Sequence, residues 1–166
     1  MSRKIFEEDV MCQTCKAIVE ACEPCKDGFG IVLDQTVFFP EGGGQLSDSG
    51  WLIVGEQRIF VSHVHIQDEV IVHETAEAIP AGTEVEALLD WPVRFDHMQQ
   101  HCGEHLLSYA FWKLFQADNV GFHMNPELVT IDLNKEVTAD EVRQAEDMVN
   151  QQIQEDRPIH AEWMDH

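Results

Sequence analysis

The sequence predicts an α+β fold: a small β-barrel-like domain over residues 1–91, followed by an incomplete two-layer α/β domain over residues 92–166. Three observations lead there. Between Gly30 and Asp90, short runs rich in β-branched and aromatic residues alternate with Gly, Asp and Pro turns, the pattern of a curled sheet or small barrel. Trp91-Pro92 ends that pattern, because Pro92 cannot donate to a sheet and restricts the residue before it. After Pro92 the periodicity reads helix, strand, helix, which is half of a two-layer domain.

Composition sets the limits. With 166 residues and 44% apolar content, the chain can build one ordinary domain or two small ones. No apolar run approaches the roughly 18 residues that a membrane span needs. Met1 to Glu8 has neither the apolar centre nor the cleavage site of a secretory signal, so a cytoplasmic protein without a membrane partner is expected. The formal net charge is −21, from 31 acidic and 10 basic residues. That balance argues against broad binding to a phosphate backbone, where affinity comes from Lys and Arg releasing counterions.

Taken in order, the first feature is a pair of Cys-x-x-Cys motifs, Cys12/Cys15 and Cys22/Cys25; the fifth cysteine is Cys102. Two such pairs can form a four-thiolate zinc site, but only six residues separate them, and Lys16 to Ala21 reads as an alternating strand. Small buried strand residues are the expected role. Strands follow at Ile31–Phe39, Trp51–Val54, Arg58–Val61, Glu69–His73 and Glu84–Asp90. Within them lies Phe39-Pro40-Glu41-Gly42-Gly43-Gly44-Gln45-Leu46-Ser47-Asp48-Ser49-Gly50. Three consecutive glycines either provide positive φ or admit something close to the backbone. The spacing is not that of a phosphate-binding P-loop.

Past Pro92, Asp96 is placed to cap a helix that is apolar on more than one face: Met98, Cys102, Leu106 and Tyr109 on one, Leu107, Ala110, Phe111, Leu114 and Phe115 on another. Such a helix is expected to be buried, with its histidines in a crevice. His101 and His105 are four residues apart and share a face, where two imidazoles can hold one metal ion, zinc by preference. The same spacing also suits one capping and one core histidine. His97 continues the stripe one turn earlier. Residues 118–126 read as a loop and Leu128 to Leu133 as a strand. Thr138 to Glu141 forms a capping box opening a helix whose inner face carries Val142, Ala145, Val149 and Ile153, with Pro158 as its stop.

Three of these stretches resemble the alanyl-tRNA editing proteins, free-standing relatives of the editing domain of alanyl-tRNA synthetase. Phe38 to Gly50 is similar to the glycine-rich motif of their longer members. Met98 to Ser108 is similar to their His-x-x-x-His zinc motif. Thr130 to Leu133 with Glu141 to Asn150 is similar to the strand and helix that follow. The likeness runs in order from about Val10 to Pro158. It implies a zinc-dependent hydrolase that removes serine or glycine mischarged onto tRNA(Ala), with zinc held by the His pair plus a Cys and a His from a later Cys-x-x-x-His. His101 and His105 match the first pair. The second pair has no counterpart in these 166 residues, so a fragment of a longer protein, or else a natural truncation, that binds zinc weakly and edits poorly or not at all is expected.

The resemblance also makes Gly42, Gly43, Gly44, Gln45, Phe122 and His123 candidates for substrate binding, with Gln45 and His123 as catalytic candidates. A polar group bonding the serine hydroxyl would supply discrimination. Some relatives use a Thr there; residues 118–125 contain none, which leaves His123. His97 is expected to be a supporting or surface residue. Two other readings stand beside this one. His101-x-x-Glu104-His105 formally fits an inverted zinc-peptidase motif, with Glu104 as general base and Glu141 or Glu146 as third ligand. A non-catalytic module that docks tRNA or protein is the other.

Overall fold

The computed structural model describes residues 2–125 and 127–159. A two-residue strand β1 (Arg3–Lys4) and a single turn α1 (Ile5–Glu8) precede β2 (Thr14–Cys25), β3 (Gly28–Leu33), β4 (Gln35–Thr36), β5 (Gly50–Val54), β6 (Gln57–Gln67), β7 (Val70–Thr75) and β8 (Glu84–Leu89). Helix α2 (Trp91–Phe115), strands β9 (Asn119–Met124) and β10 (Val129–Leu133), and helix α3 (Ala139–Gln154) follow. The chain divides into two compact units. The first holds the described residues up to Gln99 together with Met124 and Asn125; the second holds Gln100–His123 and the described residues from Glu127 on.

The first unit is a closed barrel in the order β2-β3-β7-β6-β5-β8, antiparallel throughout, as the run of short alternating strands predicts. Its interior is aliphatic, with Ile31, Leu33, Leu52, Val61 and Val64 fully buried. Gly50 is needed where β5 meets β8, since a Cβ there would lie 2.2 Å from the Leu88 carbonyl oxygen. The expected strand Ile31–Phe39 is interrupted. Asp34 leaves the ladder to accept the Ile18 amide on its carboxylate at 2.7 Å, and Gln35–Thr36 then pairs with β1 instead. Beside the barrel core, the Asp48 carboxylate takes the Arg94 guanidinium at 2.8–2.9 Å and the Phe39 amide at 2.7 Å. Burial pushes the Asp48 carboxyl up, and Arg94 opposes that shift.

The cysteine pairs are spread along β2. Cys15 and Cys22 are seven positions apart, about 20 Å at the rise of a strand, too far to share one ion. Cys12, Cys15 and Cys22 pack against the barrel core, while Cys25 is exposed.

Helix α2 begins at Trp91, five residues before Asp96, so Asp96 is not its cap. Asp90 supplies the first carbonyl, to the Arg94 amide, and Pro92 sits in the first turn, where no donor is required. Nor is α2 buried all round: Ala110 and Phe111 are buried, but Tyr109, Trp112 and Leu114 are exposed. In the second unit, the stretch predicted as a loop is strand β9, paired with β10. Helix α3 opens with the predicted capping box, Thr138 and Glu141 bonding each other's backbone amide. Of its predicted inner face, Ala145 and Val149 are buried and Val142 and Ile153 are exposed. The helix ends at Gln154, short of Pro158.

Candidate metal-binding site

On α2, the spacing of His101, Glu104 and His105 puts all three on one face. The imidazole rings stack with centroids 4.9 Å apart and planes at 25°. One donor atom from each residue lies within 4.8 Å of the other two, and Glu104 Oε2 is 3.4 Å from His105 Nδ1. Glu104 is buried while His105 is exposed, so the cluster opens at one end rather than lying in a closed crevice.

The buried carboxylate is held in place. Its Oε1 accepts from Ser108 Oγ at 2.6 Å and from Asn119 Nδ2 at 2.5 Å, and Asn119 also donates to Ser108 Oγ at 2.8 Å. Asn119 is itself fixed, because its Oδ1 accepts the Gly121 amide at 2.9 Å. One carboxylate oxygen is thereby saturated and the other is left toward the imidazoles. Burial first, and then the neighbouring His105, pushes the His101 pKa down, with Glu104 partly offsetting the shift. His101 is therefore neutral near pH 7, the form that binds metals. Two imidazoles and a buried, hydrogen-bonded carboxylate suit zinc by donor chemistry. Ser108 and Asn119 went unnoticed in the sequence; the four-residue step from Glu104 to Ser108 was a usable sign, whereas nothing pointed to Asn119.

The structure sorts the remaining candidates. Phe122 joins the cluster, its ring 5.5 Å from that of His101. His123 follows it on β9, where successive side chains face opposite ways; it is exposed, with Nε2 3.4 Å from Asp132 Oδ2. In the first unit, Gly42 and Gln45 exchange backbone hydrogen bonds at 3.2 and 3.0 Å around Gly43 (φ 60°) and Gly44 (φ 81°). Positive φ at both central residues is the requirement of a type I′ turn, which is why glycine stands at both. Gln45 is buried, and Gly44 O accepts the Met124 amide at 3.2 Å. His97 is buried and not a surface residue, and its Nδ1 has no hydrogen-bond partner among the described residues. Glu141, a third-ligand candidate in the peptidase reading, is committed to the Thr138 cap.

Comparison with known proteins agrees with this outline. A family model described as tRNA synthetases class II (A) matches residues 6–93, which covers the barrel and the start of α2. The chain is 33% identical over 168 residues to the alanyl-tRNA editing protein AlaX-L of Pyrococcus horikoshii, a match covering 99% of this chain and 42% of that relative. It is 39% identical over 135 residues to the alanyl-tRNA editing protein Aarsd1-B of Xenopus laevis, covering 81% and 32%. It is 38% identical over 136 residues to the alanine–tRNA ligase of Metallosphaera sedula, covering 78% and 15%. The chain thus spans less than half the length of each of these relatives. On these matches, the chain belongs to the class II (A) tRNA synthetase family and is a homologue of its alanyl-tRNA editing proteins.

Proposed function

We propose that the chain acts in the editing of tRNA(Ala), hydrolysing the ester that joins mischarged serine or glycine to the tRNA, with zinc as cofactor. The observation that carries this reading is the His101/Glu104/His105 cluster, found in a homologue of proteins named for alanyl-tRNA editing. His101, His105 and Glu104 would hold the ion. Bound zinc would supply Lewis acidity and a fixed point for the seryl group or terminal ribose. Ser108 and Asn119 bind Glu104 Oε1 and would leave its other oxygen free for the ion. Phe122 offers an apolar ring face beside His101 and limits water there.

Editing is distinguished from tRNA docking by incubating the zinc-loaded chain with Ser-tRNA(Ala) and Ala-tRNA(Ala). Slow release of serine in preference to alanine, abolished by His101→Ala, is expected of a site that lacks the Cys-x-x-x-His pair. Retention of both esters while the tRNA still binds would favour the docking module instead. No described helix is long and apolar enough to cross a membrane.

A further inference from the structure

A second cluster lies on the outer wall of the barrel. His63 and His65 alternate with the buried Val64 on β6, so both face outward. A register shift between Val61 and His63 produces this phase. Without it, His63 would point inward as Val61 does. Glu74, the β7 partner of His63, faces outward between the buried His73 and Thr75. The two imidazoles stack at 5.4 Å with planes at 22°. Glu74 Oε1 is 3.7 Å from His63 Nδ1 and 3.4 Å from His65 Nδ1. One donor atom from each of the three lies within 4.8 Å of the others.

We propose that His63, His65 and Glu74 form a second binding site for a zinc-class divalent transition-metal ion. Tetrahedral bonds of about 2.0–2.2 Å separate neighbouring donors by about 3.3–3.6 Å, close to the spacings already present around Glu74 Oε1. Glu41 adds an independent sign. Its Oε2 lies 2.7 Å from His63 Nε2, the nitrogen turned away from Glu74. A carboxylate accepting from Nε2–H fixes the tautomer that leaves Nδ1 with a free lone pair, as in carboxylate–histidine–metal arrangements. His65 Nδ1 is buried, close to Glu74 Oε1 yet not aligned to hydrogen-bond with it, and has no hydrogen-bond partner among the described residues. An ion between the three would use that nitrogen. Two imidazoles and one carboxylate favour zinc, nickel or cobalt over calcium or magnesium, whose preferred donors are all oxygen. Three protein ligands leave one position for water or an exogenous anion.

Tag-free chain carrying His101→Ala and His105→Ala isolates this site from the cluster on α2. Equilibrium dialysis against zinc chloride, read by elemental analysis, is expected to give one zinc per chain. Adding His63→Gln or His65→Gln should remove it, with far-UV circular dichroism confirming the barrel in each variant. Glu41→Gln should weaken zinc binding about 10–100-fold without abolishing it. Cobalt substitution should give the visible spectrum of nitrogen and oxygen ligation. No zinc on the His101→Ala/His105→Ala protein would overturn the assignment. So would a zinc that survives His63→Gln, or one lost when the cysteine thiols are alkylated.

Discussion

Acidifying the protein should titrate one imidazole inside the barrel, and the structure fixes how much that costs. His73 is fully buried, its ring edge-on to Phe38 at 5.4 Å. Its Nδ1 lies 2.9 Å from the Ile31 carbonyl, which can only accept, so Nδ1 carries the proton. Nε2 then accepts from Thr36 Oγ1 at 2.8 Å, and Thr36 Oγ1 accepts the Phe38 amide at 3.1 Å. The neutral ring is fully satisfied. A second proton would place a charge among aliphatic side chains and leave the Thr36 hydroxyl hydrogen without that acceptor. Burial accordingly pushes the His73 pKa from 6.5 down to about 4, with the Ile31 carbonyl partly offsetting the shift. Because the folded value lies below the unfolded one, the associated stability is complete above pH 6.5 and is lost as the pH falls to about 4. At 1.36 kcal/mol per unit, the loss is on the order of 3 kcal/mol. That is a large part of the roughly 5–15 kcal/mol that holds a domain together. Urea unfolding of the wild type and of His73→Gln across this window isolates the contribution, since the other acid-sensitive groups are common to both. The wild type should lose its advantage by about 3 kcal/mol toward low pH. A ring that titrates by NMR at the ordinary value of about 6.5, or a stability gap that does not change with pH, would refute the account.

Three further outcomes are expected. Asp48→Ala strands the buried Arg94 guanidinium and the Phe39 amide, and should cost about 3–5 kcal/mol in urea unfolding, whereas Asp48→Asn, keeping an acceptor for Phe39, should cost less. Asn119→Ala removes one hydrogen bond from the Glu104 carboxylate and should weaken zinc binding at the α2 cluster about 10–100-fold, read by competition with a chromophoric chelator. Burial pushes the Cys15 thiol up to about 11, so the exposed Cys25 should react with a thiol reagent well before Cys15 does, as peptide mapping of the labelled chain would report.

Strand alternation and turn residues made the barrel legible, because inward apolar residues recur every second position at Ile31 and Leu33, at Ile59 and Val61, and at Val85, Ala87 and Leu89. The capping box of α3 was equally plain. Other features depend on partners that sequence does not display. Asp34 ends a strand only because Ile18 lies opposite, and Asp96 is a good cap that α2 bypasses because Asp90 starts the helix earlier. Strand β9 read as a loop since Asn119, Gly121 and Asn125 look like turn residues; pairing with β10 overrides that preference. At the site, helical spacing brought His101 and His105 together correctly. It gave no hint that Asn119 would reach Glu104, nor that period-two geometry would separate Phe122 from His123.

The two cores differ in size, and this sets an order of opening. Sixteen apolar side chains are buried in the barrel cluster among the described residues, against five in the cluster around Ala110, Phe111 and Ala145. Barrel amides are locked into a ring of strands with no free edge, so they exchange with solvent only when the whole ring opens. Amides of β9, β10 and α3 depend on far fewer buried contacts and become accessible in smaller, cheaper fluctuations. The residues around Glu104 belong to that softer part. Whatever binds there acts as a latch, adding its binding free energy to the least protected region of the chain.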